Sequence, residues 1–570
     1  MRKTAILLSV AVAALMGAPA WADPDTDAVR RPGFSVGFPT DPDGRSAYGL
    51  YLSGRLAMVA GDMAGAADYF AAARAVAPDA TVLGGSAFTS AILAGDLNLA
   101  AEIAPSADEA PPALTEVGRL VDAVQTFARG DAAEAHAALA DDPIAAPHVR
   151  AGLLVEPWIA AAAGNWDAAL QEPQGVRDVG TQLIAQLQRA QLLELRRRES
   201  DADAAFKALT ETPTYGAAFT VDYAEFLERR GRHGDALTIY EAAIASGDND
   251  PRVLAGRRRA TAGAPGPALP SLREGAASAL RTAAGFATAD KAHEFAVVYL
   301  RLAQGLNPTD QAQLQLGEAL QDAGYDPLAR DAFSAVQPAS AAAYAAARQQ
   351  VAWSLQEAGE IEAAVAEAER AFAARPQDPQ AAMTLASLLL DANREEEALE
   401  LLNSPVLNTH DQGWPVRFTR GAAYEQLDRI PEAEAELWTA LQMSPDQPEV
   451  LNYLGYLWVD RVGRVEEGRD MLARAVAAMP ESGNIQDSFG WAQYRQGEFE
   501  QAVESLEQAV SMEPANAVIN DHLGDAYWQV GRKREAGFQW TRALSLDPDA
   551  DLRADIEAKI ERGAPEGSAW

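Results

Sequence analysis

Four prolines place the strongest constraint on what this chain can fold into. Pro445, Pro480, Pro514 and Pro548 follow one another at intervals of 35, 34 and 34 residues, and each closes a stretch of helical apolar pattern. Proline has no amide hydrogen and cannot extend a helix, so a proline at a fixed interval ends one helical unit and opens the next. A period of this length is too short for an independent domain; such a unit buries its apolar face only by stacking on its neighbours. The residues between the prolines recur as well. The last unit has Leu523, Gly524 and Tyr527 on a first helix and Ala536, Trp540 and Ala543 on a second. The two before it have Phe489, Gly490, Ala502, Leu506 and Ala509, and Leu454, Gly455, Gly468, Leu472 and Ala475. Small residues let two antiparallel helices approach closely, and bulky ones fill the space between hairpins.

The pattern continues upstream through Gly421, Tyr424, Ala433, Leu437 and Ala440, then Ala386, Leu389, Ala398 and Leu402, and it weakens toward the N-terminus, where Gly54, Ala66, Phe70, Ala73 and Pro78 keep it. This is the period and residue template of the tetratricopeptide repeat, and it predicts an all-α solenoid, a superhelical array of about fourteen helical hairpins. Two segments break the period. Residues 23–46 are rich in proline, glycine and aspartate and are expected to be extended or disordered; residues 251–276, with Gly263-Ala264-Pro265-Gly266-Pro267, are expected to be a loop or linker. The expected organisation is therefore a degenerate array over 47–250, the linker, a second array over 277–550, and a capping helix and tail over 551–570.

Residues 1–22 have the pattern of a secretory signal: Arg2 and Lys3, an apolar run from Ala5 to Met16, and the small-residue site Ala20-Trp21-Ala22. Cleavage is expected after Ala22. The apolar run is shorter than the about 20 residues a spanning helix needs, so no direct membrane insertion of the mature chain is expected. The formal net charge is −35, and loss of Arg2 and Lys3 makes it −37. A field of that sign repels nucleic acid and anionic lipid. There is no cysteine, which excludes disulfides, thiolate metal sites and a lipidated cysteine. The short alanine-rich signal points to the periplasm.

Three runs carry a narrower likeness: Leu451-Asn452-Tyr453-Leu454-Gly455-Tyr456, Asp487-Ser488-Phe489-Gly490-Trp491 with Tyr494, and Asn520-Asp521-His522-Leu523-Gly524-Asp525-Ala526-Tyr527-Trp528. They resemble a group of exported bacterial tetratricopeptide-repeat proteins that includes the outer-membrane lipoprotein adaptor of a carboxyl-terminal processing protease. The resemblance implies envelope partners, namely such a protease and its cell-wall hydrolase substrates. The chain departs from that adaptor in having no cysteine to lipidate.

The six histidines, His136, His148, His233, His293, His410 and His522, fall in different hairpins at no metal-ligand spacing, so no metal or cofactor is expected. No phosphate loop, nucleophile elbow or dinucleotide fingerprint is present, and the repeats leave no stretch for a catalytic domain. First helices of successive hairpins line a concave surface in such a fold. Residues on their solvent side in the last three units are Asn452, Tyr456, Asp460, Asp487, Trp491, Tyr494, Arg495, Asp521, Asp525 and Trp528. Rings interleaved with amides and carboxylates suit an extended peptide or protein segment. The expectation is a periplasmic scaffold or adaptor without catalysis. A glycan-binding helper of polysaccharide export is the alternative, with a repeat-linked transferase behind it. The arginine runs 196–198 and 257–259 are expected to be solvated or paired with acidic neighbours.

Overall fold

A computed structural model describes residues 39–106, 110–172, 178–408 and 413–563. The signal sequence, residues 23–38 of the N-terminal segment, His410 and the last seven residues lie outside the described residues. Thirty α-helices fill the described chain, and apart from an isolated bridge between Thr40 and Ser46 these residues contain no strand. The fold is an α-solenoid of the tetratricopeptide type.

One steric rule recurs along the array. Five first helices carry a glycine opposite a bulky residue of the second helix, and a Cβ there would lie 2.7 Å from the Phe70 ring at Gly54, 2.3 Å from Phe333 at Gly317, 2.6 Å from Leu437 at Gly421, 2.8 Å from Leu506 at Gly490 and 2.4 Å from Trp540 at Gly524. The helices therefore meet at a separation that only glycine permits. Alanines flank the bulky residue one turn away on either side, as Ala433 and Ala440 do for Leu437 and Ala536 and Ala543 for Trp540, and all are fully buried. Side-chain caps start many helices: Ser482 accepts from the Ile485 amide, Asn516 from the Val518 and Ile519 amides, and Asp549 from the Leu552 amide. The turns inside the last two hairpins use Gly497 and Gly531 at φ of 79° and 81°, a region other residues rarely adopt.

Two expectations are corrected here. The described part of segment 23–46 is not extended: residues 40–46 close into a turn because Asp41 Oδ1 accepts from the amides of Asp43 and Arg45 at 3.1 and 2.7 Å. The expected linker 251–276 is mostly helix. Pro251–Ala262 and Leu272–Ala289 are both helical, leaving only residues 263–271 as loop. Proline at the first helical position is compatible with a helix start, and Asp250 caps it.

That loop does not divide the array in two. It turns the chain back, so that Leu272–Ala289 packs along Val149–Ala162, and His293–Leu306 packs on Pro112–Ala128 and Thr81–Ala94. One hydrophobic core runs from Met63 to Val351 through this contact, while residues between Ala190 and Ala260 form a separate core. The chain thus leaves the array after Ala169, builds a side branch of helices over 199–262, and rejoins. The return is pinned across long sequence distances. His148 Nδ1 lies 2.6 Å from the Tyr299 hydroxyl and its Nε2 lies 3.0 Å from the Ala113 carbonyl. Arg150 pairs with Asp290 at 2.8 Å, and Arg273 donates to the Ala128 carbonyl at 3.1 Å. In the branch, Arg229 makes a two-pronged contact with the buried Glu194 at 3.0 and 2.9 Å, and Arg259, from one of the arginine runs, pairs with Glu228 at 2.9 Å.

Candidate cleft between the first helices

Helices Pro448–Leu457, Gly483–Arg495 and Ala517–Gln529 are the first helices of three successive hairpins. Between them lies a cavity of about 320 Å³. Of the residues expected to form the groove, Asn452, Tyr456, Asp460 and Asp487 line it. Tyr453, Asn484, His522, Glu425 and Arg461, which the spacing argument did not select, line it as well. The Asn452 amide oxygen is buried there and has no hydrogen-bond partner among the described residues.

Asp460 and Arg461 owe their position to an irregularity. The helix ends in a wide π-type turn, Trp458–Val462, which accommodates one extra residue. The sequence shows it: Gly455 and Gly468 stand 13 positions apart where Gly490 and Ala502, or Gly524 and Ala536, stand 12 apart. This residue makes the interval from Pro445 to Pro480 one longer than the next two. Arg464 lies over the Trp458 ring at 3.6 Å and the indole N–H donates to Glu434 at 2.9 Å, which fixes the turn. Asp460 then reaches Arg495 at 3.0 Å, and Arg461 pairs with Asp428 and with Glu425.

The remaining expected groove residues are elsewhere, and three carboxylates correct the reading. Asp487, Asp521 and Asp525 do not face solvent; they are 6, 3 and 5 % exposed. Asp487 takes both oxygens to His522 Nδ1 at 3.0 Å. Asp521 and Asp525 receive Lys559 Nζ at 2.7 and 2.9 Å, and Asp525 also accepts from the Trp540 indole at 3.1 Å. Asp487 and Asp521 occupy equivalent positions one repeat apart. The cation that satisfies each comes from the element stacked next: His522 from the following first helix, Lys559 from the terminal helix Ala550–Arg562. The terminal helix thus takes the place of a further first helix and closes the last open face with Ile556 fully buried. Trp491 is sandwiched between Tyr494 at 4.8 Å and His522 at 4.2 Å, with ring planes 7° and 14° from parallel. Tyr494 accepts from the Gln529 amide at 3.2 Å, and Trp528 packs on Trp540 at 5.5 Å. Rungs such as Asp460 to Arg495, Asp487 to His522 and Tyr494 to Gln529 join neighbouring repeats, so much of the alternation of rings and acids holds repeats together.

Burial sets the protonation of this ladder. Burial and the neighbouring Asp521 charge push Asp525 up to about 6, against the pull of Lys559. Burial alone would depress His522, but Asp487 outweighs it and the imidazole titrates above its ordinary value. Burial likewise opposes the Lys559 charge, and Asp525 and Asp521 hold it above the ordinary lysine range. Among the described residues no group of three or more histidines and carboxylates could hold a metal ion, and no helix is long and apolar enough to cross a membrane.

Comparison with known proteins agrees with the repeat reading. Models of the tetratricopeptide repeat match residues 187–251 and 355–414, and a model of the TPR repeat matches 490–531. A TPR repeat-containing protein of Pseudomonas aeruginosa is 29% identical over 193 residues, which are 33% of this chain and 32% of that protein. The chain therefore spans about a third of the length of the relative it matches. Among solved structures, a tetratricopeptide repeat protein from Parabacteroides merdae is similar over 44% of this chain and 99% of its own at 15% identity and a TM-score of 0.38. The Cut9–Hcn1 hetero-tetramer of APC/C is similar over 90% of this chain and 96% of its own at 12% identity and a TM-score of 0.38. Three stretches of the chain, residues 187–251, 355–414 and 490–531, therefore carry tetratricopeptide repeats.

Proposed function

We propose that this protein is a non-catalytic scaffold exported to the periplasm, where it holds an extended segment of a partner protein in the cleft between residues 448 and 529. Tetratricopeptide repeats suit protein–protein interaction in general. The observation that carries the reading to this cleft is the buried Asn452 amide oxygen, unpartnered among the described residues, beside Tyr453 and Tyr456. An amide oxygen at a ring-lined cleft can accept from the backbone N–H of an extended chain whatever its sequence, and the rings supply contact area at low entropic cost. The leader-like first 22 residues support export. The resemblance of the last three repeats to the adaptor of a carboxyl-terminal processing protease supports such a protease and cell-wall hydrolases as the partners.

The test is capture from a bacterial envelope extract on the mature chain, with Asn452→Ala/Tyr456→Ala as the control. Recovery of a protease or hydrolase by the wild type and its loss in the double variant is the expected result. Equal recovery by both moves the site away from this cleft, and retention of polysaccharide alone replaces the adaptor with a glycan binder. Deleting residues 1–22 should leave the protein in the cytoplasm.

A further inference from the structure

The return of the chain at residues 263–271 creates a second cavity, of about 420 Å³, between helices Val149–Ala162, Val179–Leu195 and Leu272–Ala289. Its size is within the range of small-molecule sites. Three residues lining it carry a polar group that has no hydrogen-bond or ionic partner among the described residues. The Trp158 indole N–H and the Gln188 amide oxygen are unpaired although the two residues are 1 and 7 % exposed. Arg281 lines the same space, half-buried, and no carboxylate pairs with it; burial with nothing to offset it lowers its pKa. Arginines elsewhere in this acidic chain are mostly paired, as Arg229, Arg259, Arg348 and Arg420 are. Glu274 also borders the cavity, but it stands two turns away on the same helix, about 10 Å along the axis, and it is engaged by the Ser271 amide at 2.8 Å in a capping box.

An unpaired buried donor, an unpaired buried acceptor and an uncompensated guanidinium around one cavity are costly unless a ligand satisfies them. We propose that this cavity binds a carboxylate that also carries an amide, the chemistry shared by a small N-acylated dipeptide and by the free carboxyl end of a longer peptide. Arg281 takes the carboxylate in a two-pronged contact. Gln188 accepts from the ligand amide N–H, Trp158 donates to its carbonyl, and Ile184 and Leu269 receive an apolar side chain.

Isothermal titration of the whole mature chain tests this with three probes: N-acetyl-alanyl-leucine, its carboxamide, and an octapeptide ending in alanyl-leucine with a free carboxyl group. The acid should bind, and the carboxamide should bind more weakly by about tenfold or more. Arg281→Gln should lose affinity for the acid by a similar factor, and Trp158→Phe by a smaller one. Arg281→Gln should keep its helicity and melting temperature, because Arg281 has no hydrogen-bond or ionic partner among the described residues. Equal affinity for acid and carboxamide, undiminished affinity in Arg281→Gln, or no heat from any probe at millimolar concentration would overturn the proposal. Binding of the dipeptide alone identifies a small-molecule site, and equal binding of the octapeptide identifies a peptide end; either upholds the shared chemistry.

Discussion

The last repeats and the central return of the chain are built from the same helices but held together differently. In residues 414–562 every unit leans on the next, through rungs such as Asp487 to His522 and Asp521 to Lys559 that span 35 and 38 residues. In the central region, helices 272–289 and 293–306 lean on partners far back in the chain: His148 meets Tyr299 across 151 residues and Arg273 reaches Ala128 across 145. The first arrangement is quasi-one-dimensional, so damage should remain near where it is made. The second closes a long loop around the branch, so damage there should spread to segments remote in sequence. The difference also assigns the cavities: the regular end has a cleft along the array, and the junction has a cavity lined by helices from three separate stretches of the chain, which no single repeat could form.

The largest expected effect is at the regular end. Lys559→Met leaves Asp521 and Asp525 buried without their cation, and breaking such a pair costs about 3–5 kcal/mol. Helix 550–562 should detach and helix 517–529 should fray, while residues 47–351 keep their protection from hydrogen exchange. Loss of protection in that N-terminal core would contradict a local array.

Next come the glycines at the two contacts. A Cβ at Gly275 would lie 2.1 Å from the buried Trp158 ring, and one at Gly524 2.4 Å from Trp540. Leucine at either position should cost about 3 kcal/mol by overpacking. Gly275→Leu should expose residues 112–162 together with 272–306, whereas Gly524→Leu should disturb only the last hairpin and its cap. Circular dichroism melts with exchange mapping distinguish these, and similar footprints would remove the contrast.

A smaller effect is expected at the pin of the return. Tyr299→Phe leaves His148 Nδ1 without its partner and should cost about 1–2 kcal/mol, read as a lower denaturation midpoint for the core that contains both residues. An unchanged midpoint would show that this hydrogen bond does not help to hold the return.

An effect of similar size concerns pH. Asp525 titrates at about 6 in the folded chain against an ordinary 3.8, so between these values the folded state binds a proton that the unfolded state does not. Its contribution is therefore present at low pH and lost as pH rises through 6. His522, raised mainly by Asp487 against its burial, works in the same sense: its contribution is present below the ordinary histidine value and lost as pH rises through its raised one. Wild type should gain stability relative to Asp525→Asn as pH falls from 7 to 4, on the order of 1–3 kcal/mol, measured by chemical denaturation. A constant difference across that range would mean that Lys559 keeps Asp525 ionised throughout.

The sequence made the regular end legible because its constraints are local. The interval of 34, the glycine opposite a bulky residue and the proline after each second helix all act within one unit, and the hairpins follow from them. The return was not legible. Proline and glycine in 263–267 mark a break, but nothing in them says that helix 272–289 will find Val149–Ala162, because that contact joins two surfaces more than a hundred residues apart. The cleft falls between. Asn452, Tyr456, Asp460 and Asp487 were reachable from helical spacing. Asp521 and Asp525 were misplaced as solvent-facing because their partner, Lys559, lies on the terminal helix, outside the repeat that the pattern describes. Arg461 entered the cleft through the π-type turn, for which the one-residue-longer interval was the available signal.

The contrast between a local array and a non-local return is tested most directly by hydrogen exchange of the intact mature chain through a series of sub-denaturing conditions. Residues 112–162 and 272–306 should lose protection together, as one cooperative unit, while the hairpins from 414 to 562 open in succession. Exchange in which 272–306 opens with the branch at 199–262 and independently of 112–162 would contradict it.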